Sequence, residues 1–183
     1  VHALTDVGES VAVVDNLSTG FSQFIPEGVP HYIGDAGDEN LVEGVIRSHD
    51  VDAIIHFAGS IVVPESLRDP LGYYRNNTLT TRNVLASAVK CGVKRFIFSS
   101  TAGVYGNPER TPVGEDAPTR PLSPYGTSKL MTEIMLRDVA IAHGLNYVVL
   151  RYFNVAGADP KLRCGIAVPG ATHLLKAGVV AAN

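Results

Sequence analysis

A tyrosine and a lysine four residues apart carry the strongest chemical signal in the sequence. Tyr125 and Lys129 follow Ser123-Pro124, a typical helix start, so their side chains should lie on one face of a helix. A cation beside a phenol favours the phenolate and lowers its pKa, which would make Tyr125 a general base near neutral pH. Upstream, Ser99-Ser100-Thr101 ends an apolar run and offers hydroxyls at the same place. Tyr-x-x-x-Lys arises often by chance, but the preceding Ser-Ser-Thr makes the combination specific.

Two other strand ends carry residues that suit a nucleotide. Asp15 follows the apolar run Val11–Val14, and an acid there hydrogen-bonds the adenosine ribose in dinucleotide-binding folds and disfavours a 2′-phosphate. Phe57-Ala58-Gly59 ends a second apolar run, where the glycine allows a close backbone approach to a ligand. Taken alone, each is equally well interpreted as an ordinary turn.

The elements that would position these residues alternate between strands and helices. Such alternation predicts an α/β fold with a doubly wound parallel sheet, and the near-continuous apolarity of the strands is typical of burial on both faces. Asn107–Pro124 is predicted to be a long loop. The predicted strands are Val11–Val14, Ala53–Phe57, Phe96–Phe98, Tyr147–Leu150 and, more weakly, His31–Ile33. The predicted helices are residues 1–7, Asp38–Ser48, Pro70 to Gly92, Ser123 to Gly144 and Thr172–Ala182.

Composition restricts the class of protein. The chain has 183 residues, 45% hydrophobic and 18% charged, with a net charge of −3 and no basic run, which argues against nucleic-acid or anionic-membrane binding. No apolar stretch approaches the roughly 18 residues of a membrane span. Cys91 and Cys164 match no metal-binding spacing, and the six histidines share no helical face, so no metal site is predicted. His56 is interpreted as a packed residue, and the class expected by default is a cytoplasmic enzyme.

Five motifs, in order along nearly the whole chain, resemble the extended short-chain dehydrogenase/reductases. Within that family the resemblance is closest to the UDP-glucose 4-epimerases, and Thr101, Tyr125 and Lys129 match the catalytic triad. The motifs are Asp15-Asn16-Leu17-Ser18-Thr19-Gly20, His56-Phe57-Ala58-Gly59, Tyr73-Tyr74-Arg75-Asn76-Asn77, Ser123-Pro124-Tyr125-Gly126 and Arg151-Tyr152-Phe153-Asn154.

The resemblance implies NAD as cofactor and a UDP-sugar as substrate. The residues implied to hold the adenosine half of NAD are Asp15, Asn16, Leu17, Thr19 and Gly20, with Asp35 and Ala36 beside the adenine. Those implied to line the rest of the cofactor site are Phe57, Ala58, Gly59, Asn76, Ser99, Tyr125, Lys129 and Phe153. Those implied to touch the UDP-sugar are Thr101, Tyr125, Asn154, His173 and Leu174.

The implied activity is the interconversion of UDP-galactose and UDP-glucose by transient oxidation at the sugar 4-position. Tyr125 would take the proton of the 4-hydroxyl, Lys129 would stabilise the phenolate, and Thr101 would hydrogen-bond the reacting oxygen. Alternatives are a 4-epimerase for another UDP-sugar, a 4,6-dehydratase, and a non-catalytic NAD-binding module. A dehydratase needs an acid pair just after the hydroxyl, where this chain has Ala102-Gly103.

The domain organisation expected from the resemblance is a cofactor domain over residues 1–158 and the start of a UDP-sugar-binding region over 159–183. The helices from Pro70 and Pro124 resemble those through which family members form homodimers. The glycine-rich phosphate loop expected about 20 residues before Asp15 would precede Val1. We therefore expect a fragment that lacks this loop, the first strand and the C-terminal substrate region, and that does not fold stably alone.

Overall fold

The computed structural model describes residues 1–165, 167 and 174–182, in which parallel strands alternate with helices. Strand β1 (Val13–Asp15) pairs with β2 (His31–Ile33), and Asp15 lies opposite Ile33. Strands β3 (Ala53–His56), β4 (Arg95–Ser99) and β5 (Asn146–Leu150) pair in that order, and His56 lies opposite Phe98. The two sheets match the two flanks of a doubly wound sheet, so the predicted fold class is confirmed.

The helices follow the predicted order, with two differences. A short helix, α3 (Val63–Arg68), lies where none was predicted. The long helix expected from Pro70 is divided into α4 (Pro70–Tyr73) and α5 (Thr80–Cys91) by a π-helical stretch, Tyr74–Leu79. Such π-helical stretches are frequent at functional sites, and this one contains Asn76 and Asn77. The other helices are α1 His2–Asp6, α2 Glu39–Ser48, α6 Pro124–His143 and α7 Leu174–Ala182.

Helix α6, which carries Tyr125 and Lys129, begins and ends on local signals. The Ser123 hydroxyl accepts a hydrogen bond from the Gly126 amide at 3.2 Å, and Pro124 occupies the first helical position. Gly144 adopts the left-handed conformation, with φ of 66°, that commonly ends a helix. These caps fix the register of α6 and therefore the height of Tyr125 above the sheet.

The main core lies where α5 and α6 pack on one face of the sheet. Phe96 and Phe98 of β4 point into it and meet Leu85 of α5 and Leu136 of α6. The prediction that the strands are buried on both faces is wrong for the described residues, because on the opposite face Ile55, Val148 and Leu150 are exposed. The described helices α2, α5 and α6 all contribute to cores on the side of Phe96 and Phe98.

The core position of Leu136 yields a stability prediction. Leu136 is 0% exposed, so Leu136→Ala should leave a cavity and lower the free energy of unfolding of the full-length protein by about 2–5 kcal/mol. Ile141, on the same helix, is 80% exposed, and Ile141→Ala should change that free energy by no more than about 0.5 kcal/mol. Denaturant titration measures both, and equal effects of the two substitutions would contradict the packing of α6 described above.

Candidate active site

Lys129 lies buried across the carboxyl end of β4. Its side chain is on the same face of α6 as Tyr125, is 2% exposed, and donates from Nζ to the Ser99 carbonyl oxygen at 3.0 Å. The ammonium also lies 5.0 Å from the centre of the Phe98 ring, a favourable cation–π arrangement. Burial lowers the pKa of Lys129 from its ordinary 10.5 to about 8. The site therefore holds a buried cation whose pKa lies much nearer to neutral pH than that of a solvated lysine.

Tyr125 and Thr101 meet at the same edge. The Thr101 hydroxyl accepts from the Gly103 amide at 3.0 Å and lies near enough to the Tyr125 phenol to lower its pKa. The rings of Tyr125 and Tyr73 pack nearly perpendicular, with centres 6.5 Å apart. Thus the three residues predicted to carry catalysis, Thr101, Tyr125 and Lys129, are brought to one strand end.

The prediction of a lowered pKa for Tyr125 is wrong for this structure. Burial raises the pKa of Tyr125 above its ordinary value, and the nearby Thr101 hydroxyl offsets only part of that rise. The Lys129 ammonium is directed to the Ser99 carbonyl, so it does not pair with the phenol as the spacing of the two residues suggested. Sequence spacing places two side chains on one face but does not fix where a flexible ammonium points.

Gly126 explains how closely α6 approaches the Thr101 turn. A β-carbon at this position would lie 2.9 Å from the Gly103 carbonyl oxygen and 3.0 Å from the Pro121 side chain. Neither neighbour is the end of a flexible side chain. The glycine after Tyr125 therefore allows the helix to contact the turn backbone directly.

An amide clamp fixes the chain after β3, a feature that the sequence analysis missed. The buried Asn77 side chain accepts from the Ser60 amide at 2.7 Å and donates to the Ser60 carbonyl and to Ser128 Oγ, both at 3.0 Å. Gly59 has φ of 152°, and a β-carbon there would lie 2.8 Å from Asn77 Oδ1 and 3.6 Å from Lys129 Nζ. The predicted cofactor residue Asn76 donates to Ser60 Oγ at 2.7 Å. Two consecutive asparagines within a helical pattern were the available signal.

His56 supports this clamp as a neutral, packed residue, as predicted. Thr81 Oγ1 donates to the Asn77 carbonyl at 2.5 Å, so it accepts from His56 Nε2–H at 2.9 Å. Burial, and secondarily the Lys129 charge, lowers the pKa of His56 to about 3. The histidine therefore adds no second cation beside Lys129 at neutral pH.

A carboxylate network, also missed, joins α6 to the ends of β4 and β5. Both Glu133 oxygens accept from Arg151, at 2.6 to 3.1 Å, and Ser100 Oγ donates to the same carboxylate. Arg151 also donates to Tyr105 Oη at 2.9 Å and to the Glu115 carbonyl at 3.1 Å. An acid four residues after Lys129, in register with Tyr125 and Lys129, was the signal that could have revealed it.

The acidic residues predicted for the adenosine half lie together at the ends of β1 and β2. Asp15 Oδ1 accepts from the Leu17 amide at 2.8 Å, and the Gly34 amide bonds the Asp15 carbonyl at 3.1 Å. A β-carbon at Gly20 would lie 2.9 Å from Asp15 Oδ2, so the loop backbone folds back over the carboxylate. Asp35 Oδ1 accepts from the Gly37 amide at 2.7 Å, and Ala36 packs against the core.

Other predicted site residues lie outside the buried cluster. Phe57, Ala58, Phe153 and Asn154 are exposed after their strands, Asn16 and Thr19 are exposed beside Asp15, and Leu174 is exposed at the start of α7. His173 is outside the described residues. Ser99 is partly buried, and its hydroxyl hydrogen-bonds Tyr152 Oη.

The described part of the chain contains neither a candidate metal cluster nor a candidate membrane span. Among these residues, no group of three or more His, Cys, Asp or Glu side chains could hold a metal ion. Nor does any described helix have the length and apolarity to cross a membrane. Both cysteines are free thiols.

Comparison with known proteins gives consistent matches. A UDP-glucose 4-epimerase of Azospirillum brasilense is 57% identical over 176 residues, which are 96% of this chain and 51% of that protein. The crystal structure of the Brucella ovis UDP-glucose 4-epimerase in complex with NAD has a TM-score of 0.95 at 39% identity and covers 99% of this chain and 55% of that one. The Bifidobacterium longum enzyme in complex with NAD+ and UDP has a TM-score of 0.86 at 40% identity, over 92% and 53% of the two chains.

The chain spans about half the length of the curated relatives it matches. The model of the NAD-dependent epimerase/dehydratase family, in contrast, matches residues 1–175, nearly all of this chain. With that match and the shared fold, the chain belongs to the NAD-dependent epimerase/dehydratase family.

Proposed function

We propose that the full-length protein interconverts UDP-galactose and UDP-glucose with NAD as a bound cofactor. The observation that carries this proposal is the meeting of Tyr125, the neighbouring hydroxyl of Thr101 and the buried Lys129 at the end of β4. The matched proteins named UDP-glucose 4-epimerase, with structures that contain NAD or UDP, support it.

The residues present fit NAD. Asp15 offers a carboxylate at a strand end, and none of the residues from Asp15 to Gly20 is basic, which suits an adenosine ribose without a 2′-phosphate. A β-carbon at Gly59 would lie 3.6 Å from Lys129 Nζ. Because glycine has no β-carbon, the space beside the ammonium stays open, which suits a ribose hydroxyl there. Asn16, Leu17, Thr19, Gly20, Asp35 and Ala36 would surround the adenosine, and Phe57, Ala58, Asn76, Ser99 and Phe153 the remainder.

The chemistry begins with a proton transfer. As the phenolate, Tyr125 would take the proton of the sugar 4-hydroxyl and become a neutral phenol, and the Thr101 hydroxyl would hydrogen-bond the reacting sugar oxygen. The Lys129 ammonium, which donates to the Ser99 carbonyl in this structure, would have to turn toward Tyr125 to lower the free-energy cost of forming the phenolate, and we propose that it does so when the cofactor is bound. Bound NAD would supply the hydride acceptor for oxidation of the sugar at C4 and the hydride donor for reduction of the resulting 4-keto sugar.

The proposal extends to the residues that contact the substrate, to the oligomeric state and to the cellular location. Asn154, His173 and Leu174 would touch the UDP-sugar, with residues 1–158 as cofactor domain and 159–183 as the start of the sugar-binding region. A homodimer would form through α5 and α6, whose shared groove is lined by Leu85, Val89, Met135 and Val139 among others. A cytoplasmic location accords with the two free thiols.

The 4,6-dehydratase alternative is disfavoured by the site. Ala102 and Gly103 form a tight turn directly after Thr101 and supply no carboxylate. Glu133 does have a carboxylate near this turn, but Arg151 and Ser100 occupy it. Retention of all three side chains implied to be catalytic, Thr101, Tyr125 and Lys129, argues against a non-catalytic NAD-binding module.

Incubation of the full-length protein with UDP-galactose tests the proposal. Chromatographic separation of nucleotide sugars should show UDP-glucose as the product. A 4-keto-6-deoxy sugar would show the dehydratase, and unchanged UDP-galactose in the presence of bound NAD would show the binding module.

Tyr125→Phe should lower kcat on the order of 100- to 10,000-fold because it removes only the proton-accepting oxygen. NAD binding, measured by calorimetry, should be retained because the ring remains. Tyr147→Phe, at an exposed tyrosine of β5, is the matched control and should leave kcat unchanged. Activity of the Tyr125 variant within a few-fold of the parent would show that another group is the base.

NAD should bind at least about ten-fold more tightly than NADP, a difference of about 1.4 kcal/mol. The physical reason is that the 2′-phosphate would lie against the Asp15 carboxylate with like charge. Asp15→Asn should narrow that difference by weakening the repulsion. Calorimetric titration with both cofactors measures it, and equal affinities in the parent would remove Asp15 from the ribose site.

The buried Lys129 should make stability depend on pH. Its pKa is lowered from 10.5 to about 8 in the folded state, so the unfolded chain binds more protons between these values and the free energy of unfolding rises with pH across that window. Relative to Lys129→Met, the parent should gain about 2 kcal/mol between pH 7 and pH 10.

Denaturant titration at several pH values measures this gain. Lys94→Met, at an exposed lysine, is the control and should remain parallel to the parent at every pH. A constant difference between the parent and Lys129→Met would mean that Lys129 titrates as a solvated lysine.

A further inference from the structure

We infer that Glu133 is a positioning residue for the reaction: its carboxylate holds the two strand ends and the helix that carry Thr101, Tyr125 and Lys129 in their working arrangement. The inference rests on the proposed function and adds to it a residue that contacts neither substrate nor cofactor. It starts from the contacts of one buried carboxylate.

Glu133 bonds directly to the neighbours of the site residues. Ser100, which donates to its carboxylate, lies between Ser99, the acceptor for Lys129, and Thr101, the partner of Tyr125. A shift of Ser100 along β4 therefore moves both partners of the catalytic side chains. Glu133 also lies one helical turn beyond Lys129 on α6, so its contacts fix the helix at the same height.

The same carboxylate fixes the end of β5. Arg151 binds both oxygens of Glu133 and precedes Tyr152, whose hydroxyl hydrogen-bonds Ser99 Oγ and whose carbonyl accepts from the Ala102 amide at 3.1 Å. Bidentate guanidinium–carboxylate pairs constrain orientation as well as distance. Glu133 thus constrains Ser99, Ser100 and Ala102, and with them the turn that contains Thr101.

The charge balance of the network requires the carboxylate. Arg151 is partly buried, and the Glu133 hydrogen bonds raise its pKa well above the ordinary range. Without the Glu133 charge, the guanidinium would keep only the Tyr105 hydroxyl, with its ring 5.0 Å away, and the Glu115 carbonyl. A partly desolvated cation left unpaired moves toward water, and Arg151 would carry the end of β5 with it.

Glu133→Gln tests the inference against a matched control. Glu43 on α2 is also a buried acid, 5% exposed against 7% for Glu133; it binds two cationic side chains, Lys90 and Arg47, where Glu133 binds Arg151. Loss of either carboxylate removes the ion pairing of a buried acid, but only Glu133 touches the strand ends of the site. In the full-length protein with NAD bound, Glu133→Gln should lower kcat on the order of 10- to 100-fold, as small misplacements of reacting groups do. The KM for UDP-galactose should change less than about three-fold, and Glu43→Gln should leave kcat and KM at parent values.

A second measurement does not need turnover. The ¹³Cζ resonance of labelled Tyr125, identified by its loss in Tyr125→Phe, reports how the Thr101 hydroxyl lies against the phenol, and Thr101→Val gives the resonance position without that hydroxyl. Glu133→Gln should move the resonance toward the Thr101→Val position, and Glu43→Gln should not move it. Ser100→Ala removes only the link between Glu133 and the end of β4. If Glu133→Gln does not fold, Ser100→Ala takes its place in both measurements. It should lower kcat several-fold and shift the Tyr125 resonance in the same direction.

The outcomes separate the two proposals. A parent protein that does not interconvert UDP-galactose and UDP-glucose overturns the proposed function, while the Tyr125 resonance still decides the role of Glu133. An unmoved resonance, or a fall in kcat that Glu43→Gln reproduces, overturns the positioning role and leaves the proposed function intact.

Discussion

A single buried ammonium sets the conditions that the rest of the site satisfies. Lys129 Nζ is removed from water beside Phe98, and among the described residues no carboxylate lies within ion-pairing distance of it. Its hydrogen bond goes to the Ser99 carbonyl, a neutral acceptor. Burial of a charge without a counter-ion is costly, and the lowered pKa of about 8 expresses that cost. A charge kept under such conditions is typical of a functional site.

The residues around Lys129 are compatible with its charge because the buried histidine beside it is not a second cation and because two glycines let the backbone approach closely. His56 lies buried but is neutral at ordinary pH, since its pKa is lowered to about 3. Gly59 and Gly126 let backbone come near the ammonium and the Thr101 turn where a β-carbon would collide. The nearby ion pair of Glu133 and Arg151 is internally balanced, so it fixes geometry without neutralising Lys129.

Much of this arrangement could be predicted from the sequence, and the remainder depends on contacts between distant segments. The strands, the Ser123 cap and the shared face of Tyr125 and Lys129 follow from local patterns. The acceptor for Lys129 lies 30 residues away and that for the Ser100 hydroxyl 33 residues away, so no spacing rule reveals them. The predicted pKa of Tyr125 failed for the same reason: burial, which raises it, is a property of the assembled fold.

In the proposed reaction, Tyr125 removes a proton while the hydrogen on C4 of the sugar leaves and returns as hydride without exchange with solvent. UDP-galactose labelled with deuterium at C4 tests this claim most directly. Incubation with the full-length protein in ordinary water, followed by mass spectrometry and NMR of the UDP-glucose formed, locates the label. The account predicts that deuterium is retained at C4 of the product. Loss of the deuterium to solvent during interconversion would contradict it.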